Sequence, residues 1–383
     1  MRPVPRGMTR VGPICCLPTL LRESGIEPAA VFAEAQVDPG LLDDADNVIA
    51  YRDLGRLLAI SAAATGCPHL GLRIGERCGI AELGPVGLLA VRAPDVGTAL
   101  RDFVRHMAVF DHAAVVSLAV EGETATFHYI IVEPDIPAAE LIREGSVAIM
   151  VRVLRDLCGA HWTPDSVMFP HRARGSLQPY RNYFRAPVHF GTGMAGIVFP
   201  ARWLSQRVFS ADRTLRRALQ AQIVDGSAER DRLFADRVRH QIQVSLPQGQ
   251  ADEAAIARSL GIGRSTLRRQ LAREGTSFRT IMQEIHYEAA KYLIRESDLV
   301  FAEVATALGY AELSVFTRAF RRWSGVTPSA WRAQNVVFQP NTNETNGGSP
   351  GDGRLKGDAG SSSRLSRPVA AHRPRTRGRQ APQ

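Results

Sequence analysis

The stretch GYAELSVFTRAFRRWSGVTPSAWR, residues 309–332, decides how this chain is read. Phe316, Ala319, Phe320 and Trp323 recur at i, i+3, i+4, i+7, the spacing of one buried helical face. The pattern predicts a helix from about Glu312 to Trp323. Ser314, Thr317, Arg318 and Arg321 share the same spacing but are rotated off that stripe, so the exposed face is basic and rich in hydrogen-bond donors. Gly309 permits a tight turn before the helix, Gly325 ends it and Pro328 blocks its continuation. A single helix of this kind is most often a solvated surface element, and its surroundings decide otherwise.

A related pattern lies upstream in ADEAAIARSLGIGRSTLRRQLAREGTSF, residues 251–278. Leu267, Arg269 and Leu271 match Phe316, Arg318 and Phe320 at an offset of 49. Gly261 and Gly275 match Gly309 and Gly325 with single-residue gaps. Ile281, Ile285, Ala289 and Leu293 have helical spacing and predict one helix bridging the copies. Two helix-turn-helix units on a rigid connector suit successive major-groove segments about 34 Å apart on one face of DNA.

Residues 236–332 resemble the C-terminal domain of AraC/XylS-type transcription regulators. The resemblance is carried by Ala257, Gly261, Leu267, Arg269, Leu271, Gly275, Ala290, Ala305, Gly309, Tyr310, Ser314, Phe316, Arg318, Phe320, Gly325, Pro328 and Arg332. That family usually has Ser at the start of each recognition helix, where this chain has Gly263 and Ala311. Ala is a poor N-cap, costing about 1 kcal/mol of helix stability. Glu312 offsets part of this through the helix dipole.

Charge is distributed as this reading requires. Residues 1–200 hold 18 Arg and Lys against 21 Asp and Glu; residues 201–335 hold 21 against 14; residues 336–383 hold 8 against 3. The chain's net charge of +9 therefore sits in its C-terminal part. A basic end attached to a near-neutral domain fits nucleic-acid binding. Only Lys291 and Lys356 are lysines, and the other bases are arginines that can pair bidentately with guanine or phosphate.

The rest of the chain organises around that end. Residues 1–12 read as a disordered lead-in. Helices are expected at Leu17 to Ser24, Pro28 to Gln36 and Arg52 to Thr65, then from Pro94 to about Phe110 and over 137–159. Between the last two the hydrophobic period changes: Ala114 to Val120 and Thr124 to Val132 flank EGE as a hairpin. Ser166 to Phe169, Val188 to Phe190 and Gly196 to Phe199 read as short strands. Residues 13–205 are therefore expected to form an α+β domain. They also resemble the arabinose-binding-like sensor domain of one AraC subfamily, through GLRIGE (71–76), GPVGLL (84–89), FPHRA (169–173), YFRAPVHFG (183–191) and IVFP (197–200). Residues 206–235 read as a helical linker and 236–335 as an all-α DNA-binding domain, with helix-turn-helix units at about 253–274 and 301–324. Residues 336–383 have few apolar residues and are expected to be a disordered basic tail.

Other chemistry has little support. The five cysteines have no zinc or redox spacing and read as reduced thiols. No Gly-rich phosphate loop, zinc-protease His pair or nucleophile-elbow Ser is present. His171 and His189 flank strand ends, more often structural than ligating. No metal, cofactor or enzymatic activity is expected. No apolar run approaches the length of a membrane span, and the protein is expected in the cytoplasm.

The expected function is a sequence-specific transcription factor with double-stranded promoter DNA as its partner. Arg264, Ser265, Thr266, Arg268 and Arg269 are the expected DNA contacts of the upstream helix. Leu313, Ser314, Thr317, Arg318, Arg321 and Arg322 are those of the downstream one. The family resemblance implies an activator, contact with RNA polymerase and a small-molecule effector, which the sequence does not identify; a homodimer stays open. A non-specific DNA-coating protein is the competing reading, and an enzyme fused to a DNA reader a more distant one.

Overall fold

The N-terminal part is laid out by the change of hydrophobic period at Ala114. The computed structural model describes residues 4–225, 233–246 and 251–335. Its elements begin with β1 (Met8–Arg10), α1 (Leu17–Glu23), α2 (Pro28–Ala35), β2 (Val48–Ala50) and α3 (Tyr51–Thr65). They continue with α4 (Leu70–Arg77), α5 (Gly84–Val91) and α6 (Val96–Phe110). The helical period then gives way to the antiparallel hairpin β3 (Ala114–Glu121) and β4 (Thr124–Ile131). After α7 (Ala139–Cys158) come β5 (Ser166–Phe169), α8 (Gln178–Phe184), β6 (Val188–Phe190) and β7 (Ala195–Pro200). The five-stranded sheet has the order β3-β4-β7-β5-β6, antiparallel except where β5 meets β6. α7 lies across it, so Phe127, Ile197 and Phe199 share a core with Val147, Val151 and Leu154.

The expected disordered lead-in is corrected for residues 4–12. β1 pairs with β2, with Thr9 opposite Ile49, and Thr9 also bridges to Asp111. The Gly7 carbonyl accepts from the Tyr51 amide at 2.9 Å, and Val11 is buried. Pro and Gly around a three-residue strand hide any alternation from sequence reading, while burial of Val4, Val11 and the Arg10 side chain holds the segment in place.

α4 and α5 arise where glycine-rich sequence argues for loops. Gly71 and Gly75 lie one turn apart on the face of α4 that meets α7. A Cβ at Gly71 would lie 2.0 Å from the Leu141 carbonyl oxygen, and one at Gly75 2.4 Å from that of Gly145. Close backbone approach offsets the roughly 1 kcal/mol that each helical glycine costs.

The stretch 206–235 is divided between two bodies. α9 (Arg213–Asp225) packs Leu219 and Ile223 against Leu89 and Val109 of the N-terminal domain, and Arg216 pairs with the buried Asp102. α10 (Phe234–Ser245) instead packs Phe234, Val238 and Ile242 into the C-terminal domain. That domain continues with α11 (Glu253–Ser259), α12 (Arg264–Arg273), α13 (Phe278–Glu296), α14 (Phe301–Ala307), α15 (Leu313–Ser324) and α16 (Pro328–Asn335). It holds two separate cores. Ile256, Ala257, Leu267, Leu271, Ile281 and Ile285 fill one; Ala290, Leu293, Val304, Phe316, Phe320 and Trp331 fill the other. Among the described residues, α13 is the one element that contributes buried residues to both. The expected tail, 336–383, lies outside the described residues.

Candidate nucleic-acid interface

Each core carries one helix-turn-helix. In the first, the Asp252 carboxylate caps α11 by accepting from the amides of Ala254 and Ala255 at 2.9 Å. α11 ends through Gly261, whose φ of +70° is the left-handed conformation that glycine adopts without strain. The Ile262 amide returns to the Ala257 carbonyl at 3.0 Å. Gly263 is the N-cap of α12, as the sequence indicates, and Leu267 and Leu271 point inward, fully buried.

The second motif repeats this scheme. The Glu303 carboxylate accepts from the Val300 amide at 3.0 Å, Gly309 closes α14 at φ +78°, and the Tyr310 amide returns to the Ala305 carbonyl at 2.9 Å. The N-cap of α15 is Glu312, not Ala311, so the helix starts at Leu313. Glu312 lies 49 residues beyond Gly263. Ala311 is therefore the extra residue of the second turn, and it accounts for the gap that follows Gly261 and Gly309, not for the one before Gly275 and Gly325. The Glu312 carboxylate caps no backbone amide; it accepts from the Ser314 hydroxyl at 3.1 Å. The weak-cap expectation placed on Ala311 thus falls on the wrong residue, although the end of α15 still lacks a side-chain cap.

The expected contact residues fall on two outward faces. Arg264, Ser265, Arg268 and Arg269 are exposed on α12, with Thr266 half-buried. On α15, Leu313, Ser314, Arg318, Arg321 and Arg322 are exposed, with Thr317 half-buried. Among the described residues the side chains of Arg269, Arg318 and Arg321 make no hydrogen bond or ion pair, leaving their guanidiniums available to an incoming anion. Arg268 differs. Its Nε and Nη2 donate to the two carboxylate oxygens of Glu253 at 2.7 and 2.6 Å, a bidentate pair linking α12 to α11. With the Gln283 side-chain amide turned so that its oxygen faces them, Arg322 and Arg279 both donate to it at 3.1 and 3.2 Å. Sequence reading misses Glu253 and Gln283. Arg268 lies 15 residues from Glu253 and Arg322 lies 39 from Gln283, both across turns and beyond helical spacing, whereas Arg279 is an i, i+4 neighbour of Gln283 on α13.

The C-terminal domain is also bound to the N-terminal one. Tyr292 of α13 stacks under the guanidinium of Arg143 of α7, 3.8 Å from ring centre to Cζ. Arg172, within the FPHRA stretch, pairs with Asp298 and donates to the Ser297 carbonyl at 3.2 Å, and its amide donates to the Glu296 carbonyl at 3.1 Å. Arg295 meets Asp135 at 3.4 Å. At the other end of the domain, the Ser117 hydroxyl of β3 donates to the Val244 carbonyl of α10 at 2.6 Å. Within the N-terminal domain, His171 and the Tyr180 hydroxyl both hydrogen-bond the Glu144 carboxyl, at 3.1 and 2.7 Å. Burial pushes Glu144 up to about 7 and His171 down to about 3, so the pair is a hydrogen bond to a neutral imidazole and not an ion pair.

Paired helix-turn-helix motifs with basic outward faces define a DNA-binding protein. Residues 25–208 match the family model described as the arabinose-binding domain of AraC transcription regulators, N-terminal, and residues 256–334 match a helix-turn-helix domain model. The HTH-type transcriptional regulator VirS of Mycobacterium tuberculosis is 31% identical over 323 residues, covering 83% of this chain and 94% of VirS. The ornithine utilization regulator of Pseudomonas aeruginosa is 25% identical over 322 residues, 82% of this chain and 93% of that protein. A crystal structure of the transcriptional regulator CdpR from Pseudomonas aeruginosa aligns over 80% of this chain and 96% of its own, at 25% identity and a TM-score of 0.40. The chain belongs to the AraC family of helix-turn-helix transcriptional regulators, and it is a sequence-specific DNA-binding regulator of transcription. Among the described residues no single helix is long and apolar enough to cross a membrane.

Proposed function

We propose that this regulator reads two successive major-groove segments of promoter DNA, through α12 and α15, and that an effector bound in the N-terminal domain controls that reading. One observation carries the proposal: two outward basic faces stand on separate cores joined by the 19-residue α13. That helix is about 28 Å long at the usual rise, close to the pitch of the duplex. On α12, Arg264, Ser265, Thr266, Arg268 and Arg269 are the proposed contacts. On α15, Leu313, Ser314 and Thr317 suit base edges, including a thymine methyl for Leu313, and Arg318 suits guanine or the backbone. Arg321 and Arg322 suit phosphates, which position the protein without specifying sequence.

Effector control is supported by the docking of Tyr292, Arg295 and Asp298 onto the N-terminal domain, which ties α13 to it. Activation through RNA polymerase, in the cytoplasm, fits the family. Selection of random DNA sites against the full-length chain tests the reading, with salt concentration fixed. Two sequence blocks about one helical turn apart are expected. Recovery of no sequence preference would refute it and leave a DNA-coating protein.

A further inference from the structure

The N-terminal domain holds a cavity of about 100 Å³ lined by residues 9–14, α3 to α7 and the β3–β4 hairpin. Its wall is almost wholly apolar, with Leu58, Phe103, Met107, Ile142, Ile149 and Met150 prominent. One end is polar. There Asp111, 3% exposed, accepts from the hydroxyls of Tyr51 and Tyr129 on Oδ2, at 2.8 and 3.1 Å. Its Oδ1 accepts from the amides of Ala113 and Ala114 at 2.8 and 3.1 Å. The two tyrosine oxygens also touch each other.

This cluster defines what it can still bind. The carboxylate already has four donors, and both phenolic protons are committed within the cluster. What remains is acceptor capacity on the phenol oxygens and on the Ser146 hydroxyl, which lines the same end beside Tyr129. A ligand must therefore bring a donor. A carboxylate ligand brings none and adds a second negative charge beside Asp111, while Arg10, the cation on the lining, already donates to the Asp46 carbonyl and carboxylate at 2.7 and 3.1 Å. An ammonium finds every carboxylate oxygen already occupied and loses its hydration on entry. A sugar would bury several hydroxyls against aliphatic wall. The free space corresponds to roughly seven to ten water-sized volumes, enough for a chain of about nine heavy atoms.

We propose that this cavity is the effector site and that it takes a small, uncharged, largely apolar molecule bearing one hydroxyl donor, held at the Tyr51–Tyr129–Asp111 end. The proposal rests on the effector-controlled reading above. The wall that would sense the ligand is α7. Ile142, Ile149 and Met150 of that helix line the cavity, while Arg143 of the same helix holds Tyr292 of α13. Occupancy that shifts α7 therefore acts directly on the helix joining the two DNA-reading motifs.

The test uses the full-length chain at pH 7.5, with 1-octanol, octanoate, octylammonium and L-arabinose as calorimetric probes. Saturable one-to-one binding of 1-octanol is expected, at least about tenfold tighter than either charged chain, with no heat from L-arabinose. Tyr129→Phe is expected to weaken 1-octanol by about three- to tenfold, and Ile149→Trp, which fills the cavity, to abolish its binding. A diazirine-bearing octanol should label α6 and α7 in the unmodified chain, a readout independent of whether Ile149→Trp folds. Tighter binding of L-arabinose or a charged chain, an Ile149→Trp variant that folds and binds 1-octanol unchanged, or labelling confined to other elements would overturn the proposal. Failure of 1-octanol to bind while random-site selection still yields two DNA blocks would sink the ligand assignment alone. Binding that leaves promoter affinity unchanged would instead refute effector control and leave the chemistry of the pocket supported.

Discussion

Replacing Phe320 by Ala tests whether the two DNA-reading motifs stand on independent cores. Phe320 is fully buried under α15, with the rings of Tyr287, Phe316 and Trp331 centred 5.7, 5.8 and 6.1 Å away. Removing so enclosed a ring costs about 3–5 kcal/mol. The core that loses it contains nine buried apolar residues and serves residues 286–335. At the usual stability per residue, a segment of that length contributes roughly 3–8 kcal/mol. The substitution therefore removes much of what holds the second motif folded. The first motif shares no buried apolar residue with it. Footprinting on a selected site should show protection lost over the α15 half and kept, at lower affinity, over the α12 half. Leu271→Ala, in the other core, should cost about 2–5 kcal/mol and give the reverse pattern. Urea unfolding followed by tryptophan fluorescence would report the first variant, because Trp323 and Trp331 both belong to the damaged core. An unchanged midpoint for Phe320→Ala would show that the face of α15 is wrongly assigned. Loss of both halves together in either variant would show one cooperative unit in place of two.

Three further outcomes are expected. Arg268→Ala should relax base preference in the α12 half of the site, whereas Glu253→Gln, which frees Arg268 from its bidentate partner, should tighten DNA binding; weaker binding in the second variant would make the pair a brace between α11 and α12. Glu144 has its folded pKa raised from 4.5 to about 7 by burial, so the stability it contributes is full below pH 4.5 and lost as pH rises through 7. Glu144→Gln should therefore flatten the fall in stability between pH 5 and 8 by up to about 3 kcal/mol, measured against the unmodified chain so that the opposing acid-side effect of His171 cancels; parallel curves would contradict it. Deleting residues 338–383 removes eight Arg and Lys, and should leave site preference intact while flattening the salt dependence of DNA binding; loss of soluble expression would show that the tail contributes to folding.

What the sequence discloses here depends on the range over which the stabilising interaction acts. The faces of α12 and α15 are legible because burial of Leu267 with Leu271, and of Phe316 with Phe320, repeats at helical spacing. The β3–β4 hairpin is legible through its β-branched and aromatic run on either side of EGE rather than through a period, since Ala114 to Ser117 are buried on both faces. α4 is not legible as a helix, because Gly71 and Gly75 argue locally against one; they are tolerated only because α7 approaches too closely for a Cβ. β1 is hidden because three residues carry no period, and its register is fixed by Ile49 and Asp111 far along the chain. Helical face alone places the candidate DNA contacts, and it finds the exposed arginines. It does not reveal that Arg268 is already paired, since Glu253 is set opposite by the turn between two helices.

What AraC-family membership brings and what this chain adds divide along the same line. The recognition helices follow from local pattern, so each short segment specifies its own position and buried face. The control proposed for those helices runs through contacts between residues 126 to 160 positions apart: Arg172 with Asp298, Arg143 with Tyr292, Arg295 with Asp135. The cavity is formed likewise, by Tyr51, Asp111 and Tyr129 arriving from a helix start, a helix end and a strand. Each of the three reads alone as an ordinary core or turn residue. Their meeting leaves a buried carboxyl with every donor supplied by protein, and the proposed uncharged ligand rests on this closure of the hydrogen-bond set, not on any one residue. The proposed regulatory device is therefore tertiary in origin, and substitutions there should alter ligand response while leaving unchanged the DNA sequence preference proposed for α12 and α15.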